Sequence, residues 1–411
     1  DALVDPRFRF YQMDAQQQGV FIKASDDAIV DLSGVKLKDG GCTSASLTCA
    51  DWRPKASYPL LTSTGTRALL SMQGCVIQPT YGHGVEARSG HLYDNVVYKP
   101  STGFRLLAQG HGAPLVARYN AVFSVREKSS LGYDEFDSFY LLRGTPFFDG
   151  NAGAGSENVG FQMATWDNAH FANNSGHAVQ AVGASFLGGV VSPITDLTLW
   201  MVEIAIWGYA KTDTPVFRNV RLADFKKGFV WGFVGADSEK HAVRMQTLTI
   251  EDSLLVGRAQ SNPYCSPGTA VGIVLAIAGT QGFSISPETC GPLGGHWTRG
   301  IYGMESPTGS PPAIAAETRV SGVTFHDFGE TVCGRSRVLQ PLMKGDGVMD
   351  PAGQESSDVV PPIFLSDITI DATSRQQLAY LPPPKREWIV PTRCVVMDCD
   401  GPKKVLIHDL D

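Results

Sequence analysis

Along most of the chain, apolar and polar residues alternate in short runs, and a small polar residue or glycine interrupts each run. The pattern is clearest in ITDLTLW (194–200), VFRNVRLADFKKGFVWG (216–232) and MQTLTIEDSLLVG (245–257). Alternation over four to eight residues predicts half-buried strands. Asp196, Asn219 and Asp252 stand where the chain should turn a corner. The same phrase recurs as MQGCVIQ (72–78), YDNVVY (93–98), YNAVFSV (119–125), VSGVTF (320–325) and LSDITI (365–370). Asp196 and Asn219 lie 23 residues apart, a plausible length for one coil, and Asp252 lies 33 further on, which implies loop insertions between coils. One supersecondary unit repeating at about 20–50 residues marks a repeat architecture. Strands with Asn, Asp and Gly corners predict a parallel β-helix. An irregular β-sandwich would join similar strands by hairpins, and few of the tight Asn-Gly or Asp-Gly loops it needs are present.

No stretch sustains a helical apolar period; LADFKKGF (222–229), the best candidate, is broken by Gly228. With 44 glycines, 25 prolines and a charged fraction of 18%, the chain suits strands and turns. The 411 residues are expected to form a single β-helical domain. Residues 1–60 would open and cap it, because an uncapped solenoid end exposes strand edges. Residues 258–318 have little strand character and read as a long insertion stapled by two cysteines. Gly82, Gly84 and Gly90 are expected at corners needing positive φ. A start at Asp1 without Met suggests a processed or partial chain.

A formal charge of −7 argues against a nucleic-acid surface, which needs clustered Lys and Arg. No run approaches the roughly 18 apolar residues that would span a bilayer. The eight cysteines, Cys42, Cys49, Cys75, Cys265, Cys290, Cys333, Cys394 and Cys399, are scattered rather than packed as zinc-type CxxC pairs. They are expected to form disulfides in an oxidising compartment, with connectivity open. Asn173-Asn174-Ser175 is the chain's one N-glycosylation sequon and points to the same secreted location.

Candidate chemistry is sparse. In a strand, Glu135 and Asp137 of Asp134-Glu135-Phe136-Asp137 would share one side and could act as an acid pair on a polysaccharide. A solvated strand edge explains them as well. His326-Asp327 and His408-Asp409 are neighbours that would face opposite ways in a strand, so they make poor dyads. His83 and His91 lie beside glycines and should occupy corners, and no GxSxG nucleophile elbow is present. Asp398, Asp400 and Gly401, with Asp409 and Asp411, could gather oxygens for calcium, but the spacing is not an EF-hand's and a plain turn suffices. No other cofactor is expected. Of Trp166, Trp200, Trp207, Trp231 and Trp297, most should fill the core or corners, with Trp297 the expected exposed exception.

Taken in order, NVRLADFKKGF, TIEDSLLVGRAQSNPYC, TRGIYGMES, RVSGVTFHDFGETVCG, LSDITIDAT and RCVVMDCDGPKKVLIHDLD resemble the C-terminal β-helix region of the fibrocystin-L (polycystic kidney and hepatic disease 1-like 1) family. GNAGAGSENVGF and NNSGHAVQAVG resemble its earlier coils. The resemblance covers roughly residues 140–411. It implies a right-handed parallel β-helix within a large extracellular or cell-surface protein, of a kind that forms surface coats without established catalysis. Related β-helices degrade hyaluronan, but the residues proposed for that activity lie upstream of the matched segment. The expected function is therefore a non-enzymatic structural or adhesive module of an extracellular glycoprotein, whose partners are other copies or domains of one assembly, or glycans. A hyaluronan-degrading type of enzyme and a carbohydrate-binding module are the alternatives.

Overall fold

A computed structural model describes residues 8–12, 20–24, 29–40, 61–63, 68–79, 84–100, 102–107, 114–125, 137–141, 146–163, 170–187, 193–210, 214–234, 246–257, 271–278, 284–285, 316–328, 330–331, 334–335, 337–341, 348–349 and 363–371. Every regular element among them is a β-strand. The chain divides into two compact units, 1–203 and 204–411, each built of parallel β-helical coils.

In the first unit a coil has three faces. The first face stacks Ile29–Ser33, Leu69–Gln73, Gly90–Tyr93, Leu115–Arg118, Phe147–Asp149, His170–Ala172 and Ile194–Thr195 in parallel register. A corner follows each of these strands, and the chain there takes positive φ at Gly34, Gly74, Asp94, Tyr119, Gly150, Asn173 and Asp196. The second face then stacks Lys36–Gly40, Val76–Pro79, Val96–Tyr98, Ala121–Phe123, Ala152–Ala154 and the start of Ser175–Leu187. The third stacks Val20–Ala24, Leu61–Ser63, Val85–Ala87, Phe104–Leu106, Asp137–Leu141, Val159–Met163 and the end of Ser175–Leu187.

The corner holds because its inward neighbour is satisfied. Asn95, Asn120, Asn151 and Asn174 each follow a corner residue directly and are fully or nearly buried. Asn120 Oδ1 accepts the Asn95 backbone N–H (3.2 Å) and Asn95 Nδ2–H (2.9 Å). Asn151 Oδ1 serves Asn120 in the same way (3.0 and 3.0 Å), and Asn174 Oδ1 serves Asn151 (2.9 and 3.2 Å). The second amide hydrogen of each returns to a carbonyl: Met72, Leu92, Ala117 and Phe148 in turn. Buried amides left unpaired would each cost about 1–3 kcal/mol, so a continuous ladder is what makes an all-polar row tolerable inside.

Above the ladder the interior is aromatic. Phe104, Phe139 and Phe161 stack on the third face at centroid distances of 5.4 and 5.3 Å, and Phe148 stacks on Phe171 at 5.5 Å on the first. The two stacks meet edge to face, Phe139 on Phe148 at 5.2 Å. Such pairs contribute about 0.5–1.5 kcal/mol beyond their area burial. The second face makes room for them. Its inward row runs Val97, Val122, Gly153, Gly176, and a Cβ on Gly176 would lie 2.9 Å from Leu199 Cδ2 and 3.3 Å from Phe161 Cε2.

In the second unit the first face stacks Val216–Arg218, Gln246–Glu251, Ala316–Ser321 and Ile363–Ser366. Positive φ recurs at Asn219, Asp252, Gly322 and Asp367. The corner neighbours are Val220, Ser253, Val323 and Ile368, all buried. Ser253 Oγ accepts the Val220 N–H (3.0 Å) and donates to the Glu251 carbonyl (2.6 Å), a one-step substitute for an asparagine rung. Phe217 packs against Phe229 and Trp231, and Phe325 against Phe328.

LADFKKGF, whose helical period Gly228 breaks, lies wholly within the strand Arg221–Val234. Several expectations change. The segment read as a strand-poor insertion contains VGIVLAIA, and Val271–Ala278 pairs in register with Lys227–Val234 and with Arg337–Pro341. Cys75 is no disulfide partner: it is a free thiol, fully buried, with Sγ donating to the Leu32 and Gln73 carbonyls at 3.4 Å each. It occupies the ladder position one coil before Asn95, and its backbone N–H donates to Asn95 Oδ1 (3.0 Å). Gly90 does take positive φ (+117°), but Gly84 does not. Gly84 is required by space instead, since its Cβ would lie 2.6 Å from Val97 Cγ1. His91 is not at a corner; it sits in the strand Gly90–Tyr93, stacked on Tyr93.

Candidate functional site

On a β-helix, outward side chains of successive coils form rows about 4.8 Å apart per step. In the first unit the outermost position of the second face reads Tyr98, Phe123, Ala154, His177 and Trp200. Tyr98, Phe123, Ala154 and His177 are register partners in turn, and the Trp200 ring stacks on His177 at 4.5 Å with planes 15° apart. Tyr98 and Phe123 keep 37% and 38% of their surface exposed. Lys99 Nζ lies over the Tyr98 ring, 5.0 Å from its centroid. The row runs about 19 Å over four coil steps, aromatic at Tyr98, Phe123, His177 and Trp200 and interrupted by Ala154, which is 7% exposed.

The first face of this unit carries a polar cluster. Arg118 lies 4.3 Å over the Phe147 ring, which stacks on His170 at 4.0 Å. Asp149, 8% exposed, faces Arg118 Nε at 3.5 Å and accepts from Asn173 Nδ2 at 2.8 Å. Asn173, the sequon's acceptor, is thus exposed at a corner (φ +54°), while its neighbour Asn174 is the ladder's last rung.

In the second unit His326, Asp327 and Asp371 converge. The expected opposite orientation of His326 and Asp327 fails because the strand Thr324–His326 ends there and Asp327 has φ +58°, which breaks the two-residue alternation. Asp371 follows the strand Thr369–Ile370 on the next coil. Its Oδ2 accepts the Asp327 backbone N–H at 2.9 Å and lies 3.3 Å from His326 Nδ1; Asp327 Oδ1 lies 3.6 Å from the same nitrogen. All three donors fall within 4.8 Å of one another. Uninterrupted strand alternation does not join Asp371 to His326, because the two stand on different coils.

On the same unit's first face, Glu251 receives a two-pronged contact from Arg218 (3.0 and 2.7 Å). The hydrogen bond to Glu251, then its charge, raises the Arg218 guanidinium above its ordinary pKa.

Other sequence candidates sort as follows. Asp137 begins a third-face strand, Asp137–Leu141. Asp134, Glu135, His83, His408, Asp398, Asp400, Asp409, Trp166, Trp297, the sequence ends and every cysteine but Cys75 lie outside the described residues. Among the described tryptophans, Trp207 and Trp231 are core residues (7% and 0% exposed), and Trp200 is half-buried on the outer row.

Comparison with known proteins found no matching family model, no matching curated protein and no matching solved structure.

Proposed function

We propose that this chain is a non-enzymatic structural or adhesive β-helix module of an extracellular glycoprotein, which assembles with further copies or domains side by side along the outer ridge of its first unit. The ridge carries the proposal. Stacking of His177 on Trp200 and of Lys99 on Tyr98 already serves the monomer, but Tyr98 and Phe123 keep more than a third of their surface in water, which lateral packing would bury. The extracellular half rests on the resemblance to the fibrocystin-L family, on the sequon at Asn173 and on the seven cysteines other than Cys75.

The ridge suits another protein surface better than a sugar. Pyranose rings bind aromatic faces, and here the His177 and Trp200 faces cover each other while Lys99 covers Tyr98. Those contacts leave less free ring face for a pyranose, and the exposed Tyr98 and Phe123 suit a second apolar surface. The glycan-cleaving alternative requires an acid pair in an open groove. Asp327 and Asp371 converge, but beside His326, and their ligand atoms fit a different role.

Sedimentation of the full chain over a concentration series tests the proposal. Wild type should associate reversibly, and Phe123→Glu with Trp200→Glu should leave a monomer of unchanged circular dichroism. A wild type that stays monomeric, or variants that associate equally well, would refute it. A glycan panel bound by wild type and lost in the same variants would favour the carbohydrate-binding module instead. Non-reduced peptide mass spectrometry on native material checks the compartment, through glycan on Asn173 and closed disulfides among the other cysteines.

A further inference from the structure

We infer that His326, Asp327 and Asp371 form a binding site for a divalent transition ion of the Zn²⁺ class, independent of the ridge and of the assembly proposed for it. The first observation is distance. A charge-assisted hydrogen bond between imidazole and carboxylate closes to about 2.7–2.9 Å. His326 Nδ1 instead stands 3.3 Å from Asp371 Oδ2 and 3.6 Å from Asp327 Oδ1. Donors held at about 2.0–2.1 Å around a tetrahedral ion lie roughly 3.3–3.4 Å apart. The 3.3 Å separation equals the edge of such a shell, the 3.6 Å one lies slightly beyond it, and all three ligand atoms fall within 4.8 Å of one another, close enough to share one ion.

Position supplies the second observation. Asp371 is held by the backbone on two sides, since its own N–H donates to the Phe325 carbonyl (3.2 Å) and its Oδ2 accepts the Asp327 N–H (2.9 Å). A ligating carboxylate oriented by a hydrogen bond is the usual supporting arrangement around a metal. Asp327 is fixed by its left-handed corner, which packs on Gly257: a Cβ there would meet the Asp327 carbonyl oxygen at 2.2 Å. The scaffold thus holds the Asp371 carboxylate beside the imidazole of the preceding coil and fixes the backbone from which the Asp327 carboxylate reaches the same nitrogen.

Chemistry sets the ion class. Carboxylates alone would suit Ca²⁺ or Mg²⁺, whereas an imidazole among them shifts preference toward Zn²⁺ and its neighbours. The side chains of His326 and Asp327 are 56% and 46% exposed, so water can fill the remaining positions.

The test is calorimetric titration of Zn²⁺ into the full chain after chelator treatment, with Co²⁺ absorption as a spectroscopic probe. Wild type should bind with saturation, and a tenfold excess of Ca²⁺ should not compete. His326→Ala and Asp327→Asn should each weaken binding at least about tenfold. His170→Ala, an exposed imidazole of the first unit, should bind as wild type does. Zn²⁺ should also raise the melting temperature of wild type and leave that of His326→Ala unmoved, and both replaced side chains are exposed enough for these variants to fold. Absence of saturable binding, binding undiminished in both variants, or displacement by Ca²⁺ would overturn the assignment.

Discussion

Removing one asparagine rung gives the sharpest test of what holds the first unit's coils in register. Asn120 is 1% exposed and makes four side-chain hydrogen bonds: two accepted from Asn95, two donated to Leu92 O (2.8 Å) and Asn151 Oδ1 (3.0 Å). Asn120→Ala leaves two buried donors of Asn95 without an acceptor. At about 1–3 kcal/mol for each orphaned group, the loss should be about 4 kcal/mol. Asn95→Ala is the internal comparison. Asn95 donates to Met72 O and Asn120 Oδ1 much as Asn120 donates upward, but the residue beneath it is Cys75, which supplies only a backbone N–H. Its removal orphans one donor, so it should cost about 1–2 kcal/mol less. Urea unfolding followed by far-ultraviolet circular dichroism measures both, with stability read from the shift in midpoint at constant slope. Equal losses in the two variants, or a loss under about 1 kcal/mol for Asn120→Ala, would refute the ladder as the source of register.

Two further changes follow from the same coils. Gly90→Ala forces a side chain into φ +117° and puts its Cβ 2.1 Å from the Leu70 carbonyl oxygen, so strain and overlap together should cost about 3 kcal/mol or more in the same assay. Cys75→Asn should extend the ladder by one rung: its amide would meet the Leu32 and Gln73 carbonyls that the thiol now reaches at 3.4 Å, and Asn95 Oδ1 beyond them. A gain of about 1 kcal/mol is expected, and a loss would show that the pocket's volume outweighs its hydrogen bonds. The wild-type Cys75 thiol should resist alkylation in the folded chain and react only on unfolding.

The corners were legible in the sequence, and the rows behind and in front of them were not. Asp196, Asn219 and Asp252 were predicted as corners and have φ of +55°, +51° and +48°. The quoted phrases also contain the ladder, as Asp94-Asn95, Tyr119-Asn120 and Asn173-Asn174, but a corner residue draws attention from its neighbour. The reason lies in parity. Leu92 points in, Tyr93 out, Asp94 turns the corner, and Asn95 points in again three residues after Leu92. A left-handed residue resets the two-residue alternation, so a count carried through the corner assigns every following side chain to the wrong face. Counting afresh from each corner recovers the outer row: four residues past Asp94, Tyr119, Gly150, Asn173 and Asp196 stand Tyr98, Phe123, Ala154, His177 and Trp200. The same count from Gly322 and Asp367 lands on His326 and Asp371. Strand alternation separated His326 from Asp327 for the same reason, because a second left-handed residue, Asp327 itself, ends the strand. One rule, alternation restarted at every left-handed residue, thus accounts for the buried ladder, for the exposed ridge and for the convergence of an imidazole with two carboxylates 44 residues apart.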